Sequence, residues 1–306
     1  MRPHKSAQQL TLASAIQSCP DGRDSPSVCS PAQTDSRSLL TLHSVTVTLF
    51  FQYRRTLESD RVTQIDKSAR AQVSSWIRSR DYLRRYPLLL SLFLRVRGYD
   101  PATMMVDPRR TDLCIEAYPR SANSTAVRLF RIANPGAIIA HHTHTTANLS
   151  LAVRHDIPAL VILRPPLDAI CSSIIYAGHS RPDGEILHYV IFHEWVANHS
   201  DYLALADFAT VLTDFNVPIG RINRRFGTTF SLLADVKAAM ALAQSDIRDR
   251  YKSRANRTVT NMPLPSEERA RMKETWREAV SQHPLFSEAC AWYMVLHTRS
   301  SPVSIS

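Results

Sequence analysis

The sequence predicts a three-layer α/β/α fold with a central parallel sheet and a helical C-terminal part. Between residues 112 and 215, short apolar runs alternate with amphipathic helical segments. Polar residues do not interrupt the apolar runs at every second position, which is typical of parallel strands covered by helices on both faces. From residue 218 onward, every segment has helical periodicity.

The first part of the chain differs from the rest. Residues 1–60 are predicted to be a poorly ordered N-terminal extension, because the first 38 are rich in Ser, Pro, Gln and Asp and lack hydrophobic periodicity. A β-prone stretch, SVTVTLFFQY, falls at 44–53. A single domain over 61–300 then begins with a helical segment over 68–98, which is predicted to end at Gly98.

The predicted strands and helices then follow in order. The first three strands are DLCIEAY, AIIA and PALVILRP, and the third has the strongest strand pattern. A helix follows each of them, over 123–134, 149–156 and 167–178. A long amphipathic helix over 185–206, a further strand FATVLTDF over 208–215 and four C-terminal helical segments complete the domain.

The composition limits the classes of protein. The net charge is +10 and comes mostly from arginine, with 32 Arg against 5 Lys. Arginine binds phosphate and sulfate oxygens through two N–H groups at once, so nucleic acid, an anionic membrane or a polyanionic small molecule are candidate ligands. The five cysteines form no C-x-x-C pair, which favours a reduced cytoplasmic compartment. No apolar stretch reaches the ~18 residues that predict a transmembrane helix.

The first candidate site is the polar turn in YPRSANSTAVRLF, residues 118–130, between the first strand and its helix. Ligands of open parallel sheets bind beyond the carboxyl ends of the strands, and a helix N-terminus offers unpaired N–H groups to anions. Arg120 adds a charge, and short side chains add donors: Ser121, Asn123, Ser124 and Thr125. The turn lacks the glycines and lysine of a Walker A loop. An ordinary N-capped helix start is the alternative.

A second candidate anion site lies in VILRPPLDAICSS. Arg164 ends the third strand, and Ser172 follows eight residues later in the next helix, so that the two side chains could close on a second phosphate. The alternative is that Arg164 pairs with Asp168 and that Ser172 is a surface residue.

Three histidines end the second strand in AHHTHTT: His141, His142 and His144. An H-x-H pair can bind metal, which leaves a zinc hydrolase open, although H-x-H-x-D-H and H-E-x-x-H motifs are absent. The other interpretation is a general base beside the anion site, since histidine titrates near neutral pH.

Together, these motifs resemble the sulfotransferases that use 3′-phosphoadenosine 5′-phosphosulfate (PAPS). PRSANST is similar to the family's loop for the 5′-phosphosulfate, and LRPPLDAICS has the family's spacing of Arg, Asp and Ser for the 3′-phosphate. The resemblance covers about residues 110–295. It implies a P-loop-like sulfotransferase fold and the following PAPS-binding residues: Arg120, Ser121, Ala122, Asn123, Ser124, Thr125, Arg164 and Ser172.

The resemblance also implies a reaction and its catalytic residues. HTH, at 142–144, is similar to the family's K-T-H segment, which makes His144 the general base and places His142 at the lysine position. His142 as the base is the alternative. Arg120 would stabilise charge on the sulfuryl group. The implied activity is metal-independent sulfuryl transfer to a hydroxyl of a small molecule or glycan, with no nucleic-acid partner.

Three features depart from the family pattern. Ala122 replaces the usual loop glycine and adds a Cβ where the backbone approaches the ligand. LRPP replaces the common R-D/N-P. The C-terminal R-K-G-x-x-G segment is absent, and Arg254 or Arg257 is a candidate to contact the nucleotide instead.

Two other classes stay open. A P-loop-like kinase or phosphotransferase would need the Walker lysine and an acidic Mg²⁺ ligand near the loop, and the sequence lacks both. A non-catalytic nucleotide-binding or nucleic-acid-binding protein would use the basic charge, for which RDYLRRYPLLL is the one basic and aromatic stretch. The sequence indicates neither the acceptor nor the oligomeric state.

Overall fold

The structure is a computed structural model that describes residues 85–178, 182–252 and 266–300. In these residues, four parallel strands form one sheet with the order β2-β1-β3-β4. The strands are β1 (Leu113–Ala117), β2 (Ile139–His141), β3 (Ala159–Leu163) and β4 (Ala204–Asp207).

Helices connect the strands and form the C-terminal part. In chain order they are α1 (Pro87–Val96), α2 (Asn123–Ala133), α3 (Thr146–Arg154), α4 (Pro166–Ala177), α5 (Asp183–Asn198), α6 (Phe208–Thr213), α7 (Asn216–Phe226), α8 (Val236–Lys252), α9 (Glu267–Ser281) and α10 (Phe286–Ser300).

The sheet has a helical layer on each face. On one face, Ile115 of β1 and Ile162 of β3 pack in a buried cluster with residues of α2, α7 and α8, among them Phe130 and Ile219. On the other face, α3 packs on β1 and β3, and α10 packs on β3 and β4. The predicted three-layer α/β/α fold with a parallel sheet and a helical C-terminal part is therefore confirmed.

The strand order determines where a ligand can enter. The chain leaves β1 on one side to form β2 and then crosses to the other side of β1 to form β3. In parallel sheets such a reversal leaves a crevice at the carboxyl ends of the strands. The turns that follow β1, β2 and β3 meet at this edge, and they contain all three sequence motifs.

The predicted helix over 185–206 is too long, and the predicted strand over 208–215 is wrong. The end of the predicted helix forms β4, in which Ala204 pairs with Leu160 of β3. The predicted strand is instead mostly the helix α6. Phe208 and Val211 of α6 recur at helical spacing and pack in the buried cluster together with Phe215, which precedes α7, so burial on one helix face outweighs the β-propensity of FATVLTDF.

The predicted helix over 68–98 does not run through Pro87. α1 begins at this proline, after Tyr86 in an extended conformation, because proline lacks an N–H and disfavours helical geometry at the preceding residue. α1 ends before Gly98, as predicted. The N-terminal extension, its boundary near residue 60, the β-prone stretch at 44–53 and the start of the predicted helix lie outside the described residues.

Two observations concern the environment of the protein. Among the described helices, none is long and apolar enough to cross a membrane. Cys114 and Cys171 are buried free thiols, and burial raises the pKa of both. The cytoplasmic compartment stays a prediction.

Candidate functional site

A cavity of about 730 Å³ opens at the carboxyl edge of the sheet. Its volume is in the range of small-molecule and cofactor sites. The turns after β1, β2 and β3 line it, together with residues of α4, α8 and α9. The predicted site residues on its wall are Arg120, Ala122, Asn123, Ser124, Thr125, His142, His144, Arg164 and Ser172. Ser121 is buried in the same turn.

The turn at 119–125, here called the anion loop, leads directly from β1 into α2. Ala122 is the N-cap residue of α2, and no side-chain hydrogen bond caps the helix there, so the polar side chains of the turn do not act as its N-cap. The first N–H groups of an uncapped helix have no partner within the helix and attract anions.

Asn123, the first residue of α2, points to a ligand independently of the helix end. It is only 4% exposed, and it lines the cavity. Neither its Oδ1 nor its Nδ2 has a hydrogen-bond partner among the described residues. Because buried polar groups in proteins are nearly always satisfied, these two atoms are suited to bind a polar ligand.

Ala122 has a left-handed backbone, with φ 63° and ψ 18°, where the family pattern has glycine. This conformation costs a residue with a Cβ roughly 1–2 kcal/mol. We expect Ala122→Gly to raise the free energy of unfolding by about 0.5–1 kcal/mol in chemical denaturation. Ala126→Gly, in the helical interior of α2, should instead lower it by at least about 1 kcal/mol. Equal destabilisation by both variants would contradict this account.

Arg120 and Arg164 meet at the anion loop. Arg164 follows β3, and its Nη1 donates to the carbonyl oxygen of Arg120 at 2.5 Å. The Arg164 guanidinium lies over the ring of Phe208, at 4.4 Å, and that of Arg120 over Tyr176, at 5.0 Å. Burial and the nearby charge of Arg269 lower the pKa of Arg120 to about 10. Arg120 is therefore charged at neutral pH in a largely buried position.

Ser172 is buried, and its Oγ accepts a hydrogen bond from Nη2 of Arg269 at 2.8 Å. Asp168 forms ion pairs with Lys273, at 3.5 Å, and Arg277, at 3.6 Å. The alternative in which Arg164 pairs with Asp168 and Ser172 is a surface residue is therefore wrong.

Sequence reasoning missed Arg269 and Lys273, both of which come from α9 and line the cavity. Burial lowers the pKa of both, and the charge of Arg164 further lowers that of Lys273. We call Arg164, Ser172, Arg269 and Lys273 the second basic cluster. The i, i+4 spacing of Arg269 and Lys273 in EERARMKETW places both on one helix face, but nothing in that spacing indicates which face meets the cavity. Arg254 and Arg257 lie outside the described residues.

Glu116 was also missed, although it holds in place residues 141–144 at the end of β2, here called the histidine turn. Its carboxylate is fully buried. It accepts hydrogen bonds from N–H and O–H of Thr143, at 3.0 and 2.7 Å, from N–H of His144, at 2.8 Å, and from Nδ2 of Asn148, at 2.8 Å. Glu116, the one acidic residue between apolar neighbours in LCIEAY, was the available signal.

The histidine turn has a strained backbone. His142 and His144 both have positive φ, 63° and 52°. With Arg120 and Ala122, they make up four of the five non-glycine residues with positive φ in the described part of the chain. Such conformations persist only where the surrounding contacts hold them, and they cluster at functional sites.

The three histidines have different hydrogen-bond partners. Nδ1 of His144 lies 2.8 Å from the carbonyl oxygen of Ala117. His142 lies 2.9 Å from Ser124 Oγ through Nε2 and 2.5 Å from Nδ1 of His141 through Nδ1. The described residues contain no group of three His, Cys, Asp or Glu side chains that could hold a metal ion, so nothing in them supports the zinc-hydrolase alternative.

One carboxylate lines the described wall of the cavity, that of Glu185. It accepts hydrogen bonds from the hydroxyls of Tyr118, at 3.2 Å, and Ser173, at 2.6 Å. The described wall of the cavity is therefore strongly basic. Arg120, the second basic cluster and the histidine turn all line it.

No protein-family model and no curated protein sequence matches the chain. Among solved structures, it is similar to the crystal structure of mouse sulfotransferase SULT7A1 complexed with PAP. The TM-score is 0.36 and the sequence identity 10%, over 66% of this chain and 92% of the mouse chain.

Proposed function

We propose that this protein is a metal-independent sulfotransferase that moves a sulfuryl group from PAPS to a hydroxyl of a small-molecule or glycan acceptor. One observation carries the proposal. Two basic groups face the same cavity beside the histidine turn, one that follows β1 and one that combines the end of β3 with residues of α4 and α9. They are the anion loop with Arg120, and the second basic cluster.

The residues present fit a ligand with two anionic ends. The anion loop offers the start of α2, Arg120 and the unpartnered amide of Asn123 to one tetrahedral anion. Arg164, Arg269 and Ser172 line the same cavity, Arg269 is hydrogen-bonded to Ser172, and the three side chains suit a second anion. Nε of Arg164 is buried without a partner among the described residues, which leaves it a donor for such a ligand. PAPS carries both a 5′-phosphosulfate and a 3′-phosphate.

The small number of carboxylates on the described cavity wall favours sulfuryl over phosphoryl transfer. Kinases and P-loop NTPases bind Mg²⁺ through acidic residues near the phosphates. Glu185, the one carboxylate on the described cavity wall, accepts hydrogen bonds from Tyr118 and Ser173. The positive charges of Arg120, Arg164 and Arg269 can instead neutralise the ligand directly.

The contacts of the histidine turn favour His144 over His142 as the general base. The carbonyl oxygen of Ala117 can only accept, so the proton of neutral His144 is at Nδ1 and the lone pair is at Nε2. Both ring nitrogens of His142 are already within hydrogen-bond distance of other side chains. Burial, together with the charges of His141 and His144, also lowers the pKa of His142 well below its usual value.

The roles of the residues in the proposed reaction follow. PAPS supplies an activated sulfuryl group, whose leaving group is the 5′-phosphate of the bisphosphate product. Nε2 of His144 accepts the proton of the acceptor hydroxyl as its oxygen bonds to sulfur and the bond from sulfur to the phosphate oxygen breaks. Arg120 and the N–H groups at the start of α2 stabilise the charge on the sulfuryl and bridging oxygens.

The direct test is calorimetric titration of the full chain with 3′-phosphoadenosine 5′-phosphate in the absence of metal, beside ATP with Mg²⁺. We expect the bisphosphate to bind and ATP with Mg²⁺ to bind much more weakly. Preference for ATP with Mg²⁺ would support phosphoryl transfer. Binding of neither ligand would refute the proposed function.

Two substitutions test the second basic cluster. Arg164→Ala and Arg269→Ala should each weaken bisphosphate binding by a factor of about 10–100, since each loses a charge-assisted hydrogen bond to the ligand, which is worth about 1.5–3 kcal/mol. Arg271→Ala is the matched control, because Arg271 is exposed, two residues away on α9 and off the cavity wall. The assignment fails if the control weakens binding as much as the other two.

A further inference from the structure

Four side chains form a continuous hydrogen-bonded row from the protein surface to the anion loop. Nη2 of Arg131 lies 3.2 Å from Nε2 of His141, and Nδ1 of His141 lies 2.5 Å from Nδ1 of His142. Nε2 of His142 lies 2.9 Å from Oγ of Ser124, which lines the cavity at the start of α2. We call these four residues the histidine chain.

The chemistry of arginine sets the direction of every bond in this chain. A guanidinium only donates, so Nε2 of His141 accepts from Arg131, and the ring proton of His141 is at Nδ1. That proton is donated to Nδ1 of His142, which must therefore carry its own proton at Nε2. Nε2–H of His142 then donates to Oγ of Ser124.

A charged histidine does not fit in this row. A proton on Nδ1 of His142 would face the Nδ1 proton of His141 at a nitrogen separation of 2.5 Å. The pKa directions agree with this geometry. Burial and the charges of Arg131 and Arg128 lower the pKa of His141 to about 4, and burial lowers that of His142 well below its usual value. Both rings are therefore neutral at physiological pH.

We propose that Arg131, His141 and His142 are positioning residues that make Ser124 a hydrogen-bond donor to an unprotonated oxygen of the anion in the cavity. Oγ of Ser124 accepts from His142, so its own proton is directed to another acceptor. The histidine chain also places an N–H group of His142, and not a lone pair, beside Oγ of Ser124. No base therefore activates this serine as a nucleophile. The role of Ser124 toward an anion rests on the proposed function, but the direction of the hydrogen bonds does not.

Nitrogen NMR of the histidine rings tests the direction of the hydrogen bonds in the histidine chain without any ligand. In ¹⁵N-labelled full-length protein at pH 7, long-range ¹H–¹⁵N correlation should show His141 protonated at Nδ1 and His142 protonated at Nε2. Neither ring should titrate between pH 5 and pH 8. A His142 ring that is protonated at Nδ1, or that titrates in this range, would overturn the proposal.

Substitution of Arg131 tests the consequence for the anion. Arg131→Met removes the donor that sets the direction, so that Ser124 can instead donate to His142. We expect bisphosphate affinity to fall about fivefold to tenfold, the effect of one hydrogen bond, and the His142 spectrum to show a mixture of tautomers. The matched control is Arg154→Met, at the exposed end of α3, which removes the same charge outside the chain.

The outcomes separate this proposal from the proposed function. An equal loss of affinity in Arg131→Met and Arg154→Met would mean that only net charge matters, and the positioning role would be wrong. If wild-type protein does not bind the bisphosphate, the proposed function and the anion role of Ser124 both fail. The nitrogen NMR spectra of His141 and His142 then still decide whether the hydrogen bonds of the histidine chain have the stated direction.

Discussion

Replacement of His144 with alanine is expected to lower the rate of sulfuryl transfer by a factor of about 10²–10⁴, the usual contribution of a general base. Affinity for 3′-phosphoadenosine 5′-phosphate should change little, because Nδ1 of the ring bonds to the carbonyl oxygen of Ala117 in β1 and the proposed role of Nε2 is toward the acceptor hydroxyl. The measurement is transfer of ³⁵S from labelled PAPS to a phenol, a sugar and a sterol, beside calorimetric titration with the bisphosphate.

His142→Gln is the informative comparison for this variant. The glutamine side chain retains an N–H group that can donate toward Ser124, while it removes any basic ring nitrogen at this position. Since the proton of His142 is at Nε2, we expect a rate loss of about tenfold or less, the size of one hydrogen bond. If His142→Gln abolishes transfer and His144→Ala does not, the assignment of the base is reversed.

Glu116→Ala is expected to have the largest effect on stability, with a loss of about 3–5 kcal/mol in the free energy of unfolding. The substitution removes the acceptor of donors on Thr143, His144 and Asn148, which are partly or fully buried, and each such group costs about 1–3 kcal/mol. Chemical denaturation followed by circular dichroism measures the change. A loss below about 1 kcal/mol would show that the turn finds other partners.

Two further variants separate stability from function at Glu116. Glu116→Gln keeps one acceptor oxygen, and it should therefore fold with a smaller loss while it displaces the backbone of His144. We expect this variant to lose transfer rate by more than it loses bisphosphate affinity. Glu274→Ala is the control, because this exposed residue forms its one ion pair among the described residues with Arg277 on the same helix, and such pairs contribute about 0.3–0.5 kcal/mol.

The amino-acid sequence was sufficient for the elements whose signals are local. The three apolar runs before residue 165 predicted β1, β2 and β3, because strands that are buried on both faces must be apolar throughout. The same local reasoning placed the anion loop, Arg164 and the histidines at the ends of these strands. Since parallel strands end at one edge of the sheet, these motifs could be expected to meet.

The prediction of secondary structure from local sequence patterns was wrong for segments whose burial depends on residues far away in the sequence. β4 consists of Ala204–Asp207, a short run with little β-propensity, and it is a strand because it pairs with β3. α6 was mistaken for a strand, since a short apolar run is compatible with either structure until its packing partners are known. The register of β4 against β3 is a tertiary property that neither segment carries alone.

The electrostatics of the site were also decided by tertiary structure alone. Arg269 bonds to Ser172 from 97 residues away in the sequence, and its helix shows no pattern that marks the face turned to the cavity. Glu116 appears as one acid in an apolar strand until the histidine turn folds over it. Hydrogen bonds and charge interactions act over a few ångströms in space, and sequence separation does not report that distance.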